Sequence, residues 1–127
     1  MNKGDPLNEH EWLLRRGYFP DKKYIRKDFT ISDTVFQPNI RDELKLSVDI
    51  ERFTTYERTI LDPKKFRICK IQAQDAYQLG LECIYDPLQR GENTHENNAH
   101  ALICGFEKDD LVLPGLLARR AIIVEYP

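Results

Sequence analysis

Alternation of apolar and polar residues is clearest in Glu43-Leu44-Lys45-Leu46-Ser47-Val48-Asp49-Ile50. A period of two puts Leu44, Leu46, Val48 and Ile50 on one face of a strand and Glu43, Lys45, Ser47 and Asp49 on the other. A strand with one wet face belongs in an antiparallel sheet covered on a single side. Ala99–Cys104 reads differently: His100, Leu102 and Cys104 share one face, Ala99, Ala101 and Ile103 the other, and both are largely apolar. That pattern predicts a central strand. Phe66–Ile71, Leu81–Tyr85 and the β-branched Ala121–Val124 complete the predicted strands. Glu11–Arg16 fits either a short strand or a helical turn, because six residues are too few for periodicity to decide.

Helix signals fall between the strands. Thr54 and Glu57 fit a capping box with Thr54 as N-cap, and Asp62-Pro63 ends the short helix it would start. Ala73, Ala76 and Tyr77 lie at helical spacing, and Gly80 stands where a left-handed cap is wanted. Asp109-Asp110 offers an N-cap to a helix carrying Leu113, Leu116 and Leu117, with Pro114 in its first turn and Arg119 and Arg120 against its C-terminal dipole. The helix over 73–79 is short for a parallel crossover, which needs at least about 10–12 residues. The expectation is therefore a single α+β domain over 1–127, with a mainly antiparallel sheet of about five or six strands and two or three short helices. Residues 1–42 are loop-rich, with Gly17 to Ile40 mainly loop and Phe29 and Phe36 as anchors to the core.

Size and composition agree with one domain. The 127 residues are 41% hydrophobic and 31% charged, apolar material for one core. Lys plus Arg number 19 against 21 Asp plus Glu, a formal charge of −2. No broad positive field exists to hold a phosphate backbone, which argues against nucleic acid as a partner. The local basic stretch with Lys22, Lys23 and Arg26 reads as a solvated loop, with a phosphate-contacting lip as the alternative. No run of eighteen apolar residues predicts a membrane span, and the N-terminus lacks the apolar core of a signal peptide.

Cys69, Cys83 and Cys104 are an odd count flanked by apolar residues. We expect three reduced, buried thiols, which suits a cytoplasmic setting. His95 and His100 are five apart, a poor spacing for imidazoles to converge on an ion, so no metal site and no cofactor is expected. Nor does Ser32, Ser47, Thr54 or Thr55 sit in a nucleophile elbow. Acidic pairs such as Asp49 with Glu51 read as solvated faces.

His100 enters an apolar strand directly after the polar segment Gln89–Asn98. The bland expectation is a core-edge histidine donating to a carbonyl or to Asn97 or Asn98; the functional one is an acid, base or ligand contact at the mouth of a cleft.

Leu44 to Ile50, Ala76 to Pro87 and Asn98-Ala99-His100-Ala101 together resemble a group of small bacterial proteins of uncharacterised function. Those proteins carry an LSV strand, a Leu-Gly turn leading to DPL, a short N-x-x-HA lead into a strand and an Ala/Arg-containing helix near the C-terminus. Asp86-Pro87-Leu88, Asn97, His100, Ala101 and Leu117-Ala118-Arg119-Arg120 occupy those places here. The resemblance spans roughly the last eighty residues and departs from the group in a longer Gln89–Glu96 insert. It implies a bacterial or phage source and supplies no activity.

Two functional expectations follow. The first is a cytoplasmic accessory or protein-interaction module without a catalytic centre, binding a protein partner or a second copy through strand addition. The second is a nucleotide- or nucleic-acid-directed enzyme, such as a compact ADP-ribosyltransferase-like protein. In it Arg15, Arg16, Ser32, His100 and the basic 22–27 segment would surround a small nucleotide such as NAD.

Overall fold

The computed structural model describes residues 1–19, 30–38, 43–91, 95–110 and 112–125. Six strands form one sheet: β1 (Trp12–Tyr18), β2 (Leu46–Ile50), β3 (Phe66–Gln72), β4 (Glu82–Tyr85), β5 (His100–Cys104) and β6 (Ile122–Val124). Their spatial order is β4-β5-β2-β1-β3-β6, with every neighbouring pair antiparallel. Three helices, α1 (Tyr56–Ile60), α2 (Ala73–Tyr77) and α3 (Val112–Arg120), complete the α+β domain. Short 3-10 helices cover Asp33–Phe36 and Glu51–Phe53.

The main core lies on one face of the sheet. Leu13 of β1, Leu46, Val48 and Ile50 of β2, Cys69 and Ile71 of β3, Cys83 of β4 and Ala101 and Ile103 of β5 all point there. Phe36, Ala73, Ala76 and Leu117 close over them. Phe36 is fully buried and is the anchor expected of it, whereas Phe29 and the basic residues Lys22, Lys23 and Arg26 lie outside the described residues. A smaller cluster of Leu14, Ile60, Ile68 and Val124 occupies the opposite face beneath α1, with Tyr56 and Phe66 against it. The second face is therefore not simply wet: α1 covers one end, and a cleft opens beside it.

Several local expectations need correcting. Glu43 and Leu44 have φ of 57° and 61°, a left-handed turn that ends the alternation, so β2 begins at Leu46. Thr55, not Thr54, caps α1, its hydroxyl accepting from the Arg58 N–H at 3.2 Å. The Thr54 hydroxyl instead faces Thr59. The chain then turns at Leu61 (φ 61°), one residue before Asp62-Pro63. α2 starts with a capping box made by Gln72 and Asp75, and Gly80 takes the left-handed φ of 82° that its position requires. In front of α3, Asp110 Oδ1 accepts from the Val112 and Leu113 amides.

β5 is interior but second from the edge; the central pair is β2 and β1. Trp12–Tyr18, ambiguous in sequence, is thus one of the two middle strands. Leu13 and Leu14 are adjacent apolar residues because they serve opposite faces.

The three cysteines are free. Cys69 and Cys83 are buried, and burial pushes both thiols up to about 12. Cys104 departs from the expectation of full burial: it faces the second side at a half-buried position.

Candidate functional site

The site originates in a mismatch of strand pairing. β1 pairs with β3 along its whole length, from Trp12↔Gln72 to Tyr18↔Phe66. β2 pairs with β5 from Leu46↔Ile103 to Asp49↔His100. Between themselves β1 and β2 share only Leu13↔Ile50 and Leu14↔Asp49, then part. Each middle strand follows its outer neighbour, and a fork opens in the sheet.

Arg15 spans the fork. Its Nε donates to the Val35 carbonyl at 2.7 Å and its Nη1 to the Ser47 carbonyl at 2.8 Å. The guanidinium thereby ties β1 to β2 through Ser47 where the two strands part, and fastens the 3-10 turn at Val35 to the same point.

On the second face the fork widens into a cleft of about 460 Å³, within the range of small-molecule sites. Leu14, Leu88 and Phe66 give it apolar wall, and Arg16, Ser47, Asp49, Thr59, Asn97 and His100 give it polar groups. Arg16 is exposed and reaches the Thr59 carbonyl at 3.2 Å, with its guanidinium 5.6 Å from the centre of the Phe66 ring. The Asp49 carboxylate is held at both oxygens: Asn97 Nδ2 donates to Oδ1 at 2.9 Å and the Thr59 hydroxyl to Oδ2 at 3.1 Å. Asn97 is itself positioned by a bridge to Leu88 and by its Oδ1, which accepts from the Ala99 amide at 3.0 Å.

His100 stands beside Asp49 across the β2–β5 pair. Its Nδ1 lies 2.8 Å from the Asp86 carbonyl and 3.1 Å from Asp86 Oδ2. A carbonyl oxygen only accepts, so Nδ1 carries a proton and, in the neutral ring, Nε2 keeps its lone pair. Among the described residues the ring bonds to Asp86 alone. The side chain is 11% exposed and lines the cleft.

The cleft brings together four residues singled out in the sequence: Arg15, Arg16, Asn97 and His100. It does not include Asn98, whose carbonyl accepts from the Tyr85 hydroxyl at 2.7 Å. Ser32 is buried on the other side, where its hydroxyl accepts from the Thr34 amide as the cap of a 3-10 turn. His95 is exposed outside the cleft lining, and among the described residues no group of three or more His, Cys, Asp or Glu could hold a metal ion. Asp49, Thr59 and Asp86 were not singled out as site residues. Asp49 carried a usable signal, an acid on the polar face of the clearest strand, but its cross-strand neighbour was not readable. No family model matches the chain, and neither curated proteins nor solved structures give a match.

Proposed function

We propose that this chain is a non-catalytic recognition module, an accessory domain that holds a small polar ligand in the cleft at the β1–β2 fork. One observation carries the reading: Arg16, Ser47, Asp49, Asn97 and His100, drawn from three strands and a loop, converge on one cavity. Catalysis by a nucleophile would need a hydroxyl or thiol held against the imidazole. Among the described residues His100 has Asp86 as its hydrogen-bond partner and no such group. The free thiols support placing the module in a reducing, cytoplasmic compartment, and the sequence resemblance supports a bacterial or phage source.

The test is an amide-resonance titration of the full chain against a panel of polar metabolites. Ligands should move the signals of Leu14, Ser47, Asp49 and His100 together, and the ligand should be recovered unchanged. Chemical conversion of a bound ligand that disappears in His100→Gln would overturn the non-catalytic reading. A panel that leaves the cleft signals still would overturn the site.

A protein-interaction reading has its own support in β6, a three-residue strand that pairs only with β3 among the described strands and exposes Ile122. Light scattering after size-exclusion chromatography tests it: a concentration-dependent dimer lost in Ile123→Pro would favour strand addition.

A further inference from the structure

The cleft is electrically polarised, and the polarity specifies the ligand. At the β1 end stands Arg16, whose one hydrogen bond goes to a neutral carbonyl and which has no carboxylate partner among the described residues. Its remaining N–H groups are free to meet an anion in the forked geometry that suits phosphate. Across the cleft, on β2 and β5, stand two acceptors side by side, the Asp49 carboxylate and, in the neutral ring, the His100 Nε2 lone pair. Both Asp49 oxygens are already bonded, yet each retains a second acceptor position. Also on β2 lies the Ser47 hydroxyl, which makes no hydrogen bond within the described residues.

Asp49 on β2 stands one strand from β1 and His100 on β5 stands two, and Thr59 bridges the near pair, its carbonyl accepting from Arg16 and its hydroxyl donating to Asp49. An anion on Arg16 meets a guanidinium, with Thr59 standing between it and Asp49, whereas an anion beside His100 would meet the Asp49 carboxylate directly. Hydroxyl or amino donors are accepted at the Asp49–His100 end and would be wasted against Arg16. The half-buried ring of Phe66 beside Arg16 and the side chains of Leu14 and Leu88 supply apolar contact in between.

We propose that the cleft binds a phosphate monoester that also carries hydroxyl or amino donors. The phosphate sits on Arg16 and the donors on Asp49 and His100 Nε2. Sugar phosphates and nucleoside monophosphates share this chemistry. The inference rests on the recognition reading above and adds to it the ligand's class and orientation.

Calorimetric and amide-resonance titrations of the full chain test it with adenosine 5′-monophosphate, ribose 5-phosphate, adenosine and inorganic phosphate. At least one of the two monoesters should bind at least tenfold more tightly than either adenosine or inorganic phosphate. Binding by both points to the sugar phosphate as the recognised unit; binding by the nucleotide alone points to the base edge. Arg16→Ala should weaken monoester binding roughly 10- to 100-fold, the scale of a lost charge-assisted contact, and leave adenosine unaffected. His100→Gln should weaken the monoester and adenosine alike. In labelled protein, at a pH where the imidazole is neutral, the Nε2 resonance should shift when ligand donates to it. Monoester binding indifferent to Arg16→Ala, or no monoester binding at millimolar concentration, overturns the inference. Cleft signals moved by amino acids or dicarboxylates but by no phosphate monoester would sink this ligand class while the recognition reading stands.

Discussion

Arg15→Ala removes the tie that spans the fork between the two middle strands. Among the described residues the side chain donates charge-assisted bonds to two carbonyls, at 2.7 Å to Val35 and at 2.8 Å to Ser47. Hydrogen bonds to a charged donor contribute about 1.5–3 kcal/mol each, and the Ser47 bond, being solvent-exposed, falls below that range. The expected loss is therefore about 2–3 kcal/mol. Arg16→Ala is the internal control, one residue further along the same strand. It gives up a single 3.2 Å bond from an exposed side chain and should cost under about 1 kcal/mol. Equilibrium urea unfolding, with a slope of about 1.5 kcal/mol/M for a domain of this size, turns this into a midpoint shift of about 1.3–2 M for Arg15→Ala and under about 0.7 M for Arg16→Ala. Arg15→Lys should recover part of the loss, since an ammonium reaches one carbonyl but cannot fork to two. Equal midpoints for the two alanine variants would refute the claim that the guanidinium holds the fork.

The remaining predictions concern the cap, the core and the thiols. Thr55→Ala should cost about 1 kcal/mol in urea unfolding and Thr54→Ala clearly less, because only Thr55 accepts from the helix amide. Phe36→Ala should cost about 3–5 kcal/mol by the same measurement, since the ring is fully buried in the main core. Under native conditions at pH 8 a thiol reagent should label Cys104 ahead of Cys69 and Cys83, and in denaturant all three should react together. Cys69 and Cys83 are raised from an ordinary 9.0 to about 12, so the unfolded chain releases those protons first. Their stabilising contribution is complete below about pH 9 and is lost between about 9 and 12; replacing both by Ala should flatten the alkaline limb of a stability-versus-pH curve.

Legibility in the sequence followed the number of buried faces. β2 announced itself because its neighbours on one side are core and on the other a cleft with polar walls, which yields alternation. β1 did not, although it is a middle strand. Its Leu13 and Leu14 are each buried on a different face, and Arg15 and Arg16 likewise serve opposite sides, so no period survives. The left-handed turn at Glu43-Leu44 was hidden for another reason, since neither residue favours positive φ and surrounding structure imposes it. Of the site, His100 and Asn97 stood out by chemistry. Asp86 and Thr59 did not, because their roles depend on which distant segment each meets: Asp86 on the strand fourteen residues later, and Thr59 on Asp49 ten residues earlier.

One margin of the sheet is finished by a segment outside the six strands. The β4 side is completed by the N-terminal segment: the Gly4 amide donates to Tyr85 at 2.7 Å, the Tyr85 amide to Asp5 at 2.8 Å, and the Leu7 amide to Cys83 at 3.0 Å. The Tyr77 hydroxyl donates to the Leu7 carbonyl at 2.6 Å and fastens it in place. These few residues act as a selvedge. Trimming them would lay bare the unsatisfied main-chain groups of Cys83 and Tyr85 and turn a finished border into a template for aberrant stacking of chains. A purification handle is therefore better fused at the other terminus.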